Sequence, residues 1–104
     1  MSVNMPRRVL SLDEVRRHRN EILAIAERYG VRNIRVFGSV ARGDADADSD
    51  LDLLIDVDPG HSYFDMAGFA LEVEDLLGIF TQVATAGGLK VRIRDRVLGE
   101  AVAV

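Results

Sequence analysis

The 22 residues from Val36 to Val57 read VFGSVARGDADADSDLDLLIDV. From Leu51 onward, apolar and acidic positions alternate. Leu51, Leu53, Ile55 and Val57 fall on one side; Asp50, Asp52, Leu54, Asp56 and Asp58 fall on the other. Successive side chains of a strand point to opposite faces, so this pattern predicts a strand with one apolar and one acidic face. Such a strand needs a sheet that helices cover on the apolar side while the acidic side stays open. Upstream, Val31 to Phe37 predicts a first strand that runs into Gly38-Ser39. Glycine lets the backbone bend tightly and approach a ligand closely. A short helix from about Ser39 would offer free N–H groups and a positive dipole end to a phosphate. Asp50 and Asp52 lie on one strand face, about 6.5–7 Å apart along the chain. Two hard oxygen ligands so placed suit Mg²⁺ held jointly by protein and substrate phosphates.

The remaining elements follow from local signals. Ser11 and Glu14 form a capping box that opens a helix running through Arg28, with Leu12, Val15, Ile22, Ile25 and Ala26 as its apolar stripe and Gly30 as its stop. His18 reads as an exposed polar residue among arginines. Pro59-Gly60 ends the second strand, and Ser62 caps a helix from Tyr63 to Leu77. Its buried face is expected to include Phe64, Ala67, Leu71 and Leu76, with the aromatic residues in the core. Ile79 to Thr85 predicts a third strand, and Val91 to Ala101 a last helix. The order, helix–strand–short helix–strand–helix–strand–helix, predicts a small α/β (α+β) domain: a mixed β-sheet with helices packed on one face. One domain is expected over residues 1–104, with residues 1–10 as a flexible arm.

Charge is unevenly spread along the chain. Residues 1–42 carry nine Arg against four acids, whereas residues 43–78 carry eleven acids and no Lys or Arg. An acidic centre does not suit broad contact with a nucleic-acid backbone; it suits metal ions or a basic protein partner. Asp44, Asp46 and Asp48 read as a solvated acidic loop. There is no cysteine, hence no disulfide framework and no thiolate chemistry. With neither a membrane-span-length apolar run nor a signal-peptide pattern, a cytoplasmic protein without membrane contact is expected.

Gly38-Ser39, a gap of ten residues, and Asp50-x-Asp52 together resemble the signature of the DNA polymerase β-like nucleotidyltransferases. The longer string GSVARGDADADSDLDLLID is similar to the minimal nucleotidyltransferases, usually the antitoxin member of a HEPN/MNT toxin–antitoxin pair. The likeness extends from about Leu12 to Val104 and implies the two-layer core of that superfamily, reduced to its minimum. It implies Asp50 and Asp52 as catalytic Mg²⁺ ligands, with Gly38 and Ser39 holding the β- and γ-phosphates of ATP or another NTP. Arg42 is close enough in sequence to add positive charge to the triphosphate, or to pair with an acid of the Asp44–Asp48 loop.

In family members with full activity the next strand carries a third carboxylate. Aligned on Leu76-Leu77-Gly78, this chain has Gln82 at that position. Glutamine is a weak metal ligand and a poor base. The departure at Gln82 tells against catalysis more than against nucleotide binding, whereas the resemblance as a whole implies Mg²⁺-dependent transfer of NMP, AMP foremost, to a tyrosine hydroxyl of a HEPN ribonuclease toxin bound as a hetero-oligomer. The alternative is a catalytically degenerate binding module that neutralises its toxin by contact alone.

Overall fold

A computed structural model describes residues 9–104. Its elements are α1 (Leu12–Arg17), α2 (Arg19–Tyr29), β1 (Val31–Phe37), α3 (Gly38–Arg42), β2 (Leu51–Val57), α4 (Tyr63–Leu77), β3 (Thr81–Ala84), α5 (Val91–Glu100) and β4 (Val102–Ala103), with a 3₁₀ turn at Ala86–Gly88. The four strands form one mixed sheet in the order β3-β2-β1-β4. β2 lies antiparallel to β1 and parallel to β3, and β4 lies antiparallel to β1 at the other edge. The two-layer expectation holds, with an edge strand the sequence did not announce.

Local chemistry accounts for most boundaries. The Ser11 side chain accepts from the Glu14 N–H, as its capping role requires. Ser62 and Asp65 form a reciprocal capping box at the start of α4. Gly30 ends α2 at φ 67°, in the left-handed region where glycine carries no Cβ penalty. The first helix is not continuous: it breaks at His18, whose φ of −96° and ψ of 14° separate α1 from α2. His18 Nδ1 then lies 3.0 Å from Glu21 Oε1 at the head of α2.

Helices α1, α2 and α4 cover the apolar face of the sheet. Val15, Ile22, Ile25 and Ala26 are buried there with Ile34, Val36, Leu51, Leu53 and Ile55. Removing such a side chain from water contributes about 1.5–3 kcal/mol each. Leu10, expected within a flexible arm, is 1% exposed and belongs to this core; the rest of the predicted arm, apart from exposed Val9, lies outside the described residues.

The face of α4 differs from the expected one. Phe69, Val73 and Leu77 are buried, whereas Phe64 is 87% and Leu71 60% exposed, and Ala67 is exposed too. Tyr63 is likewise exposed, so the two aromatic residues at the start of this helix lie outside the core. The reason is that α4 is apolar nearly all round. Positions 64, 67 and 71 form one helical stripe and positions 69, 73 and 77 another, and periodicity alone cannot choose between two apolar stripes. The sheet selects the second. On the acidic side of β2, Leu54 is fully buried, so that face is closed around Leu54, with half-buried Asp52 before it and partly exposed Asp56 and Asp58 beyond it.

The turn at Gly38 is set by strand register. Phe37 pairs with Asp52, and the next residue, Gly38, turns the chain over that acid with φ 74°. A Cβ at residue 38 would stand 2.5 Å from Asp52 Oδ2. Gly38→Ala is therefore expected to cost at least about 1–2 kcal/mol from the left-handed conformation alone, measured by urea unfolding. A variant as stable as wild type would contradict this reading of the corner.

A polar bridge ties α2 to α4: the Tyr29 hydroxyl and the Arg28 guanidinium both donate to the Glu72 carboxylate. The tyrosine hydroxyl, then Arg28, hold the Glu72 carboxyl below its ordinary range. A carboxyl whose proton affinity is lowered by folding adds stability above its unfolded pKa and loses it as pH falls through the folded value. Glu72→Gln is thus expected to lower the thermal midpoint at neutral pH and to converge on wild type in acid. A deficit independent of pH would contradict the bridge.

Candidate functional site

The strand register brings most of the predicted residues to one end of the sheet. Asp52 opposes Phe37 on one side and Gln82 on the other. Paired residues of adjacent strands share a face, so Gln82 stands beside Asp52. Asp50 lies one residue before β2, and the adjoining Leu51 N–H is fixed by a 3.0 Å bond to the Phe80 carbonyl. Gly38 and Ser39 open α3, directly over Asp52. Asp50, Asp52, Gln82, Gly38 and Ser39 thus gather at the C-terminal end of β1 and the N-terminal ends of β2 and β3.

The acids of this face fall into two groups. Asp56 and Asp58 have basic partners: Arg35 lies 3.4 Å from Asp56, and Arg32 lies 2.7 Å from Asp58. They are neutralised parts of the sheet. Among the described residues, the Asp50 and Asp52 carboxylates have neither a hydrogen-bond donor nor an ion-pair partner. Burial, and then the neighbouring Asp50 charge, raise the affinity of Asp52 for its proton, and the Arg42 charge opposes this. Two uncompensated carboxylates, one half-buried, make a region that favours a cation. Among the described residues no cluster of three or more His, Cys, Asp or Glu side chains is arranged to hold a metal. This donor set fits an ion completed by substrate oxygens and water, which is how Mg²⁺ is ordinarily held; it does not fit a closed protein cage.

Arg42 closes the site from α3. It pairs with Asp44 at 3.3 Å, the loop acid weighed as its partner, and with Glu100 at 3.3 Å. These bonds, Asp44 first, raise its already high proton affinity. Arg42 also acts on Asp52 through its charge.

Glu100 is the residue that sequence reasoning missed. Its Oε1 accepts the Gly38 N–H at 2.9 Å, and it is only 20% exposed. The cause is β4. Val36 pairs with Val102 and Arg35 with Ala103, so continuing the antiparallel register sets Glu100 opposite Gly38. Ala103 is held in turn by Arg16, whose guanidinium donates to its carbonyl at 2.9 and 3.2 Å. No motif connects residues 38 and 100. The only local trace is the apolar tail Ala101–Val104 directly after a helix.

Comparison with known proteins agrees with this geometry. The model of the nucleotidyltransferase domain family matches residues 16–104. The protein adenylyltransferase MntA of Thermococcus cleftensis is 37% identical over 100 residues, an alignment covering 92% of this chain and 98% of that one. A solved structure described as a minimal nucleotidyltransferase superposes with a TM-score of 0.80 at 41% identity, covering 91% of this chain and 97% of its own. A toxin–antitoxin structure with AMP-PNP shares the fold, with a TM-score of 0.67 at 15% identity over 81% of this chain and 69% of that one. With a family match spanning most of its length and a relative this similar over nearly the whole of both chains, the chain belongs to the nucleotidyltransferase domain family.

Proposed function

We propose that this protein is an antitoxin that transfers AMP from ATP to a hydroxyl, a tyrosine of a HEPN-family toxin. The observation that carries the reading is the convergence of Gly38 and the unpaired Asp50–Asp52 couple at one corner of the sheet. The relative named protein adenylyltransferase MntA supports the class of reaction. The toxin–antitoxin neighbour with AMP-PNP supports the partner and the nucleotide. Among the described residues no helix is long and apolar enough to cross a membrane.

In this reading Asp50 and Asp52 hold Mg²⁺, which when bound neutralises charge on the triphosphate. The Gly38 amide, the Ser39 hydroxyl and Arg42 receive the β- and γ-phosphates. Anchoring them orients the α-phosphate for attack and gives the departing charge fixed donors. The acceptor oxygen forms a bond to the α-phosphorus as the bond from that phosphorus to the α–β bridging oxygen breaks. Pyrophosphate leaves, and the hydroxyl proton passes to a base. At the position beside Asp52, Gln82 cannot take that proton. The proton therefore goes to water or to the departing pyrophosphate, and transfer is slow.

The same residue favours a second reading, in which the protein binds its toxin without modifying it. Labelled ATP and purified toxin separate the two. Wild type is expected to label the toxin slowly, Asp50→Asn to abolish labelling, and Gln82→Asp to accelerate it by on the order of 10²-fold, the usual contribution of a positioned base. Labelling by Gln82→Asp but not by wild type would establish the binding module. Undiminished labelling by Asp50→Asn would overturn the site.

A further inference from the structure

The Glu100 carboxylate occupies the groups that a triphosphate would need. It accepts the Gly38 N–H at 2.9 Å, and both of its oxygens lie 3.3 Å from Arg42 Nη1. One N–H cannot serve a carboxylate and a phosphate at once. We propose that Glu100 is an affinity-determining residue of the nucleotide site: an internal anion that holds the Gly38 amide and Arg42 until a triphosphate displaces it. The proposal rests on the nucleotide-binding reading above and adds a cost that every incoming nucleotide must meet.

Three observations make this more than a surface ion pair. The position of Glu100 is built in: β4 pairs with β1 two residues beyond it, and Arg16 and the Val104 amide secure that edge from outside. The backbone is thereby fixed while the side chain alone can turn away. The Glu100 side chain is 20% exposed and its bond to the Gly38 N–H is part-buried, so that bond is less screened than one at an open surface. Finally, a single carboxylate holds both the Gly38 N–H and the Arg42 guanidinium, the two groups assigned above to the phosphates. An acid that must leave when a more highly charged anion arrives with its cation explains all three contacts.

The triphosphate replaces Glu100 at Gly38 and Arg42, and the freed carboxylate reaches water. Without ligand, Glu100 satisfies the amide and the guanidinium, so the corner stays ordered. Removing its charge should therefore act in opposite directions on the two states.

The test is isothermal titration of Mg²⁺ with a non-hydrolysable ATP analogue into wild type and Glu100→Gln, with thermal unfolding of each protein alone. Glu100→Gln keeps the side-chain length but loses the charge. It is expected to bind the analogue on the order of tenfold more tightly, the equivalent of one charge-assisted hydrogen bond no longer to be broken, while its ligand-free midpoint falls. A merely structural residue would weaken both. Glu100→Asp, which keeps the charge but loses one methylene of reach, is expected to lie between the two and serves if Glu100→Gln does not fold. Unchanged or weaker binding by both variants, with wild type still binding, would overturn the competitor and leave the nucleotide site standing. No binding by any of the proteins would overturn the nucleotide site itself.

Discussion

The pairing of β1 with β2 is the constraint from which the rest follows. It sets Phe37 against Asp52, and the next residue must then turn back over an acid with no room for a Cβ. A glycine at residue 38 is a consequence of that register. So is the proximity of the α3 amides to the Asp50–Asp52 couple. Because β3 joins β2 in parallel, Gln82 is delivered to the same spot by the same sheet. Slipping the register by one residue would turn every one of these side chains to the other face.

Charge on the sheet is divided in the same economical way. The acidic side of β2 is not a uniform field. Its C-terminal half is neutralised by Arg32 and Arg35 from β1, and Leu54 between the two halves is buried. Among the described residues, only the N-terminal half keeps carboxylates without a hydrogen-bond or ion-pair partner, and Arg42 offsets the charge of Asp52 from a distance. Glu100 and Arg42 stand between these conditions: paired with each other, yet placed on the groups that a phosphate would use.

Much of this was legible in the sequence. Alternation of leucine and aspartate fixed β2 and its faces, and the glycine–serine corner and the two aspartates were brought together by the very strands their spacing implied. Other features were not legible, and for α4, β4 and Glu100 the reason is physical. The sequence does not separate the exposed stripe of α4 from the buried one because the helix is apolar on both; of the expected face Leu76 packs against the core, and only tertiary packing distinguishes Phe64 from Phe69. The strand β4 is two residues long, too short for any period to register; its hydrogen bonds come entirely from β1. Glu100 followed from β4 and was invisible with it. The local signals at His18 showed a continuous helix, and nothing in the structure explains why it breaks there. Gln82, by contrast, was located from a three-residue landmark, and the register sets it directly beside Asp52.

The Gly38 corner and the Asp50–Asp52 couple are proposed to grip one metal-chelated triphosphate between them. Amide chemical shifts of ¹⁵N-labelled protein, followed as Mg²⁺ and a non-hydrolysable ATP analogue are added together, address it most directly. The account expects the largest saturable shifts at Gly38, Ser39 and residues 50–52, with one common affinity and none of them when Mg²⁺ is withheld. Saturable shifts confined to another surface, with the corner and the two aspartates unmoved, would contradict it.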